Sequence, residues 1–325
     1  MSTTIIHTHH LTRDFQTPTG RLRAVDQLDL EIPEGIVFGF LGPNGSGKTT
    51  TIRLLLGLLE PTEGSAQVMG FDTRTQADDI RARTGALLEH TGLYERLSAA
   101  DNLDYFARIY HLPDNKRQAR IQELLSTMGL WERRKEIVNN WSRGMKQKLA
   151  VARALLHHPK LVFLDEPTAG LDPVAAAALR DDLAQLANTR QATIFLTTHN
   201  LADAERLCQQ VAVIRSGKLL AMGTPDQLRS QFGGRKGGLT AEIFGHGFTP
   251  ELITSLTALP QVRSVRLENT HLAIDLETGA EMGPVVSQIV LSGGMVEEVR
   301  KGTASLEDAF LELVEDETMS GQSQK

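Results

Sequence analysis

Between residues 21 and 32 apolar side chains alternate with polar ones: Leu22, Ala24, Leu28, Leu30 and Ile32 fall among charged or polar neighbours. A period of two puts them on one face, which predicts strands of a half-exposed antiparallel sheet. Ile36 to Leu41 is instead an unbroken apolar run before a glycine-rich stretch, the mark of a strand buried on both faces. The pattern then predicts a helix over Thr49–Leu59, stopped by Glu60-Pro61 because the residue before a proline is driven out of the helical region. Apolar residues three and four apart predict helices over Leu103–Leu112 and Ala119–Leu130. Ser142 is placed to cap a further helix running to Leu156. Leu161–Leu164 and Thr193–Thr197 are two more apolar runs of strand length, with helices between them. Strands alternating with helices imply a parallel sheet.

The pattern changes after Phe232. Residues 233–238 hold four glycines and read as a linker, so residues 1–232 form one domain. Within it, residues 93–156 form a helical subdomain. Beyond the linker the order is strand (Leu239–Ile243), helix (Pro250–Ala258), strand (Val262–Glu268), strand (His271–Leu276), helix (Met282–Leu291) and strand (Met295–Arg300). That order suits a small α+β domain of ferredoxin-like type over 239–314. A last helix, Ser305–Val314, precedes a polar tail, 315–325.

Charge separates the two parts further. From Arg235 onward there are 7 basic and 14 acidic residues, whereas residues 1–234 hold 27 basic and 26 acidic. The acidic end would be repelled by nucleic-acid backbones and anionic lipid, which argues against a nucleic-acid binder. Cys208 is the one cysteine, so no intrachain disulfide forms, as expected of a reducing compartment. Met1–Asp14 has no basic patch followed by an apolar core, hence no signal-peptide pattern. No apolar run approaches the roughly 18 residues of a membrane span, so any membrane role is expected to go through a partner. The cluster His7–His10 reads as a frayed terminus, and Arg133-Arg134-Lys135 as a solvated helix end.

The first chemical motif lies between the buried strand and the next helix. Gly42-Pro43-Asn44-Gly45-Ser46-Gly47-Lys48-Thr49 fits G-x-x-x-x-G-K-[ST]. Glycines let backbone N–H groups curl round phosphate oxygens, and the helix N-terminus adds its positive end. Lys48 supplies a point charge for the β- and γ-phosphates, and the Thr49 hydroxyl a ligand for Mg²⁺. Alone, this loop does not separate a small-molecule kinase, a GTPase and a transport ATPase. The second motif is Leu161-Val162-Phe163-Leu164-Asp165-Glu166, an apolar strand ending in two carboxylates. Asp165 is placed to hold Mg²⁺. Side chains alternate along a strand, so Glu166 points elsewhere and can polarise an attacking water.

Trp141-Ser142-Arg143-Gly144-Met145-Lys146-Gln147-Lys148, lying before that strand, resembles the signature segment of ATP-binding-cassette (ABC) ATPases. Arg143 and Met145 stand where the commonest form has glycine and glutamine, a variant similar to that of drug, antibiotic and polysaccharide exporters. Ala169-Gly170-Leu171-Asp172-Pro173 resembles the family's D-loop, and Thr197-Thr198-His199 its switch histidine. The resemblance covers about residues 5–230, in order and spacing. The region beyond the linker resembles, more loosely, the extension of the exporter branch.

The resemblance implies a P-loop ABC cassette with a parallel core sheet, an antiparallel β subdomain and a helical subdomain. ATP and Mg²⁺ are then the cofactors, with Gly42, Pro43, Asn44, Gly45, Ser46, Gly47, Lys48, Thr49 and Thr50 on the nucleotide. It also implies that Ser142, Arg143, Gly144, Met145 and Asp172 complete the site of an opposing subunit, either a second copy or a relative. Glu166, His199 and Lys48 are the catalytic set, and Thr49 and Asp165 the metal ligands. Phe15 falls where the family stacks an aromatic on adenine; a core phenylalanine is the competing reading. Glu89 falls where most members have glutamine, in Leu87–Tyr94, and a glutamate can ligate Mg²⁺ directly or through water while adding negative charge beside ATP. With no membrane span of its own, the chain would drive a separate integral membrane permease from the cytoplasmic face. A soluble ABC ATPase acting on ribosomes or DNA is the alternative; one cassette, no heptad run and an acidic end argue against it. A small-molecule kinase would leave the signature and D-loop segments without a role.

Overall fold

Three adjacent parallel strands carry the core of the first unit, and their register packs phenylalanines together on one face. In the computed structural model, which describes residues 3–18, 20–188, 192–232, 239–268, 271–277, 280–302, 306–307 and 309–310, the chain divides into two compact units between Thr224 and Pro225. The first opens with β1 (Thr4–Thr17) and β2 (Gly20–Pro33), then β3 (Val37–Leu41), α1 (Lys48–Leu55), β4 (Glu63–Val68), β5 (Phe71–Asp72), α2 (Ala77–Arg83) and β6 (Thr84–Leu87). The helices α3 (Ala99–Ile109), α4 (Asp114–Thr127) and α5 (Arg143–Ala154) follow. The chain then alternates: β7 (Leu161–Asp165), α6 (Pro173–Asn188), β8 (Thr193–Thr198), α7 (Leu201–Leu207), β9 (Gln210–Arg215) and β10 (Lys218–Gly223).

One sheet has the order β10-β9-β3-β8-β7-β6, parallel except for β10 against β9. Every residue of β3, β7 and β8 is buried, which is why their sequences read as continuous apolar runs. Phe195 on β8 lies opposite Phe38 on one side and Phe163 on the other. Its ring centroid is 5.5 Å from each and 5.4 Å from that of Phe40, within the range where aromatic pairs attract beyond their area burial. The same register sets Asp165 beside Thr197. A second sheet, order β2-β1-β4-β5, is antiparallel.

The second unit comprises α8 (Pro225–Phe232), β11 (Leu239–His246), α9 (Pro250–Thr257), β12 (Val262–Glu268), β13 (His271–Leu276), α10 (Gly283–Leu291) and β14 (Met295–Gly302). Its sheet, order β12-β13-β11-β14, is antiparallel throughout and has its own core of Ala241, Ile243, Leu252, Leu272, Ile274 and Ile289 among others. The 233–238 linker and the 315–325 tail lie outside the described residues, as does most of the expected last helix, of which Leu306, Glu307, Ala309 and Phe310 are helical.

Three expectations are corrected. The His7–His10 segment is not a frayed end but the middle of the fourteen-residue strand β1, whose Ile5, Ile6, Thr8 and Leu11 are buried. The alternation was hidden because a bulge falls between Thr8 and Leu11, where His10 has φ +46° and a bulge adds a residue that shifts the period. His10 is anchored there by Asp29, whose Oδ1 accepts from the His10 backbone N–H at 2.6 Å. The helix after the phosphate loop stops at Leu55 rather than Leu59. Gly57 turns left-handed at φ +63°, and the N–H groups of Leu58 and Leu59 both return to the Arg53 carbonyl, as at glycine-terminated helix ends generally. The helices expected at 103–112 and 119–130 begin earlier, at Ala99 and Asp114, since α3 opens on alanines too small to mark a period and α4 on the polar run Asp114–Arg117.

The end of α3 is tied to the first residue of β6 by a half-buried histidine. The His157 ring stacks on Tyr110 at the end of α3, with centroids 3.8 Å apart and planes 10° apart. Its Nε2 lies 3.2 Å from the Thr84 carbonyl oxygen. Burial pushes its pKa down to about 4. Between that value and an unfolded pKa of about 6.5 the unfolded chain binds the extra proton, so stability rises with pH through this window. We therefore expect His157 to contribute stability in full above pH 6.5 and to lose it as the pH falls towards 4. In denaturant titrations, His157→Gln should flatten that dependence by up to about one proton equivalent.

Candidate nucleotide site

The loop between β3 and α1 curls back on its own lysine. The Lys48 Nζ donates to the Gly42 carbonyl at 2.7 Å and to the Pro43 carbonyl at 3.1 Å. It also lies 3.1 Å from Glu166 Oε1. The residue is 6% exposed, so its charge is compensated almost wholly by protein oxygens. The curl depends on Gly47, which caps α1 with φ +107° and whose Cβ, were there one, would strike the Ala24 carbonyl of β2. The first N–H groups of α1 have no partner inside the helix, and α1 begins at Lys48 itself. A loop with these features is built for a phosphate chain.

Thr49 and Asp165 meet across the sheet. The Thr49 hydroxyl donates to Asp165 Oδ2 at 2.7 Å, and the Thr197 hydroxyl donates to Asp165 Oδ1. One hydroxyl and one 5%-exposed carboxylate form a hard oxygen pair of the kind Mg²⁺ takes alongside phosphate oxygens and water. Among the described residues there is no group of three or more His, Cys, Asp or Glu that could hold a metal unaided. The donor set fits Mg²⁺.

Glu166, one residue past β7, has φ +50°, a conformation that costs a residue with a side chain about 1–3 kcal/mol unless its surroundings enforce it. Its backbone N–H is held by both the Thr197 hydroxyl at 3.0 Å and the Thr197 carbonyl at 3.1 Å. The turn aims the carboxylate out of the strand's alternation and between two partners. Oε1 faces Lys48, and Oε2 lies 2.7 Å from His199 Nδ1. Lys48, Glu166 and His199 are thus one connected group.

Phe15 is half-buried and lies outside the core. It lines a cleft of about 310 Å³ with Leu22, Ala24, Asn44, Gly45, Gly47, Lys48, Thr49, Thr50 and Glu166. Its β2 neighbour Leu22 pairs with it in register and is 56% exposed. The two form an apolar platform at one end of the phosphate loop. Leu22 was counted as one more alternating strand residue; its pairing with Phe15 is the signal that could have found it.

Other residues stand apart from this group. Ser142 caps α5 by accepting from the Met145 N–H at 3.3 Å. With Arg143 it is exposed, while Gly144 is buried and Met145 half-buried. Arg143 lines a second cleft, of about 350 Å³, with Glu89, His90, Thr91, Trp141, Lys146 and Gln147. Its guanidinium also covers Gly170, where a Cβ would collide with it. Asp172 accepts from the N–H groups of Val174 and Ala175 at 3.1 and 2.9 Å, closing the first turn of α6. Glu89 is not brought to Thr49 and Asp165: its carboxylate, 69% exposed, lies 3.7 Å from the Arg53 guanidinium on α1. Sequence reading also passed over Thr197 as a ligand of both Asp165 and Glu166, because a threonine in an apolar strand looks like any β-branched residue.

Lys48→Ala should remove the compensating ammonium from the loop. The expected result is a nucleotide affinity lowered at least about tenfold, as for the loss of a charge-assisted contact, measured by calorimetric titration of the full chain with ATP.

Comparisons with known proteins agree with this geometry. The ABC transporter family profile matches residues 25–169, a span containing the phosphate loop, the signature helix and the Asp165-Glu166 pair. The chain is 42% identical over 228 residues to the bacitracin transport ATP-binding protein BcrA of Bacillus licheniformis, covering 70% of this chain and 72% of that protein. It is 34% identical over 298 residues to the daunorubicin resistance ATP-binding protein DrrA3 of Streptomyces coeruleorubidus, covering 92% and 93%. A solved ATP-binding subunit of an ABC transporter is 31% identical, with TM-score 0.62 over 70% of this chain and 93% of that one. With the lysine loop, the paired carboxylates and the histidine arranged as above, this likeness establishes that the chain belongs to the ABC transporter family, as an ATP-binding and ATP-hydrolysing subunit.

Proposed function

We propose that this chain is the motor of an exporter, closing with a second ATP-binding subunit around ATP to drive a separate membrane permease. The observation that carries the chemical part is the Glu166 carboxylate set between Lys48 and His199. The triphosphate lies along the loop from Gly42 to Thr50, its base against Phe15 and Leu22. A γ-phosphate arriving at Lys48 competes with Glu166 Oε1 for the ammonium. Once released, Oε1 is free to accept a proton. Water then attacks the γ-phosphorus, its proton passing to Glu166, while the bond from that phosphorus to the β–γ bridging oxygen breaks. His199 holds Oε2 and so keeps the carboxylate aimed; Lys48 stabilises charge on the transferring group. Thr49 and Asp165 would hold Mg²⁺, which supplies positive charge to the β- and γ-phosphates.

Ser142, exposed at the N-terminus of α5, would contact the γ-phosphate held by the opposing subunit together with the Gly144 backbone. Arg143, Met145 and Asp172 would line the same junction. Closure is favoured because ATP completes contacts that ADP does not, and a ligand shifts a conformational equilibrium only by such a difference. Among the described residues no helix is long and apolar enough to cross a membrane; in this reading the permease would carry the cargo across the bilayer. The name of another relative, the Nod factor export ATP-binding protein I of Cupriavidus metallidurans, 36% identical over 289 residues, supports export as the direction; in this reading the chain would work at the inner face of the cell membrane.

Glu166→Gln keeps shape and loses the base. It should bind ATP within about threefold of the parent and lower turnover by about 10²–10⁴-fold; turnover at the parent rate would exclude Glu166 as the base. For the transport part, gentle extraction of the chain from native membranes should bring down a multi-span protein at about a one-to-one ratio, identified by mass spectrometry. A chain recovered alone, or with ribosomes or DNA, would leave the ATPase and remove the permease.

A further inference from the structure

The loop that leaves Glu166 is gripped from the side by a carboxylate that has no contact with Lys48, Thr49 or Asp165. Asp203, in the first turn of α7, is 1% exposed. Its Oδ2 accepts from the Thr168 hydroxyl at 2.6 Å, and its Oδ1 accepts from Arg180 Nη1 on α6 at 2.6 Å. Three segments therefore meet at one buried charge. Thr168 belongs to the turn after Glu166, α6 is the helix that this turn leads into, and α7 begins two residues after His199. The α7 end is itself fixed, since Asn200 Oδ1 accepts from the N–H groups of Ala202 and Asp203 at 3.0 and 3.4 Å.

This junction answers a question raised by Glu166. A non-glycine residue at φ +50° persists only where its neighbours over-determine it. On the strand side Thr197 holds the Glu166 N–H. On the loop side the turn is closed by the Ala169 N–H on the Glu166 carbonyl at 3.1 Å, and the only side chain of that turn tied to α7, among the described contacts, is Thr168 through Asp203. We propose that Asp203 is a positioning residue for hydrolysis: through Thr168 it holds the turn that aims Glu166 at His199, and through α7 it holds the histidine in the same frame. This rests on the reading of Glu166 as the base. A carboxylate serves better here than a neutral group, because a charge-assisted bond is shorter and about twice as strong as a neutral one, and Arg180 leaves it compensated.

The test uses the full chain and compares steady-state ATP hydrolysis, at a temperature where every variant is fully folded, for Thr168→Val, Thr168→Ser, Asp203→Asn, the double variant Thr168→Val with Asp203→Asn, and Glu166→Gln. Thr168→Val cuts the link to the turn and leaves the Arg180–Asp203 pair in place. We expect kcat to fall about tenfold or more, the size of effect that loss of a hydrogen bond to a charged group produces, with KM for ATP within about twofold. Thr168→Ser, which keeps the hydroxyl, should restore most of kcat. The double variant should be no slower than Asp203→Asn alone, since the two act through one contact. Thr168→Val at the parent kcat, a loss confined to KM, or no rescue by serine would each overturn the proposal even if Asp203→Asn does not fold; where that variant folds, losses that multiply would overturn it as well. Should Glu166→Gln turn over at the parent rate, the base assignment itself falls; should it be inactive while Thr168→Val is unimpaired, only the positioning role falls.

Discussion

A positive charge that is almost wholly buried constrains the whole nucleotide-binding end of this protein. An ammonium taken out of water costs several kcal/mol unless partners surround it, and Lys48 finds them in two carbonyls of its own loop and in Glu166. Both carbonyls come from residues five and six positions back in the chain, so the loop must curl. Curling requires a left-handed Gly47, and the close approach of Ala24 leaves no room there for a side chain. The carboxylate has to come from elsewhere, and that requirement fixes where β7 must end.

Parallel pairing meets it. Neighbouring parallel strands end at one edge of the sheet, and ligands gather in the crevice outside their carboxyl ends. β3 leads into the phosphate loop, β7 delivers Asp165 and Glu166, and β8 between them delivers Thr197 and His199. Thr197 is the hinge of the arrangement. Its hydroxyl reaches Asp165, and with its carbonyl it also fixes the Glu166 N–H. Beneath this edge the packed, mutually tilted rings of Phe38, Phe40, Phe163 and Phe195 hold the three strands in register, so that the positions of the polar groups above are set by apolar packing below.

The base-binding side is built by a different device. Phe15 and Leu22 lie on paired strands of the antiparallel sheet, so their separation is set by a hairpin register and not by the parallel core. Glu89 shows how far a single residue can be redirected. Its carboxylate lies against the Arg53 guanidinium on α1, so the charge that glutamine would lack is spent on an ion pair one turn beyond the phosphate loop. Both groups are well exposed, and such pairs are worth at most about 1 kcal/mol. The contact can therefore yield to a stronger partner.

Much of this was legible in the linear chain. The buried strands, the phosphate loop, the Asp165-Glu166 pair and the signature segment each carry a local pattern, because a buried parallel strand must be apolar throughout and a phosphate cradle needs glycine at fixed spacing. The bounds of β12 and β13 were read to the residue, since a run of β-branched and apolar residues is a local property. What the chain alone did not decide are contacts between residues far apart in sequence. No period reveals that Thr168 and Arg180 share the buried Asp203, that Thr197 serves two carboxylates, or that Leu22 completes a platform with Phe15. Nor could alternation survive the bulge at His10, where a register shift hides a strand from any rule of two. Local order follows from backbone geometry and side-chain periodicity, whereas the catalytic group is assembled by strand register and by the need to compensate buried charge, and those exist only in three dimensions.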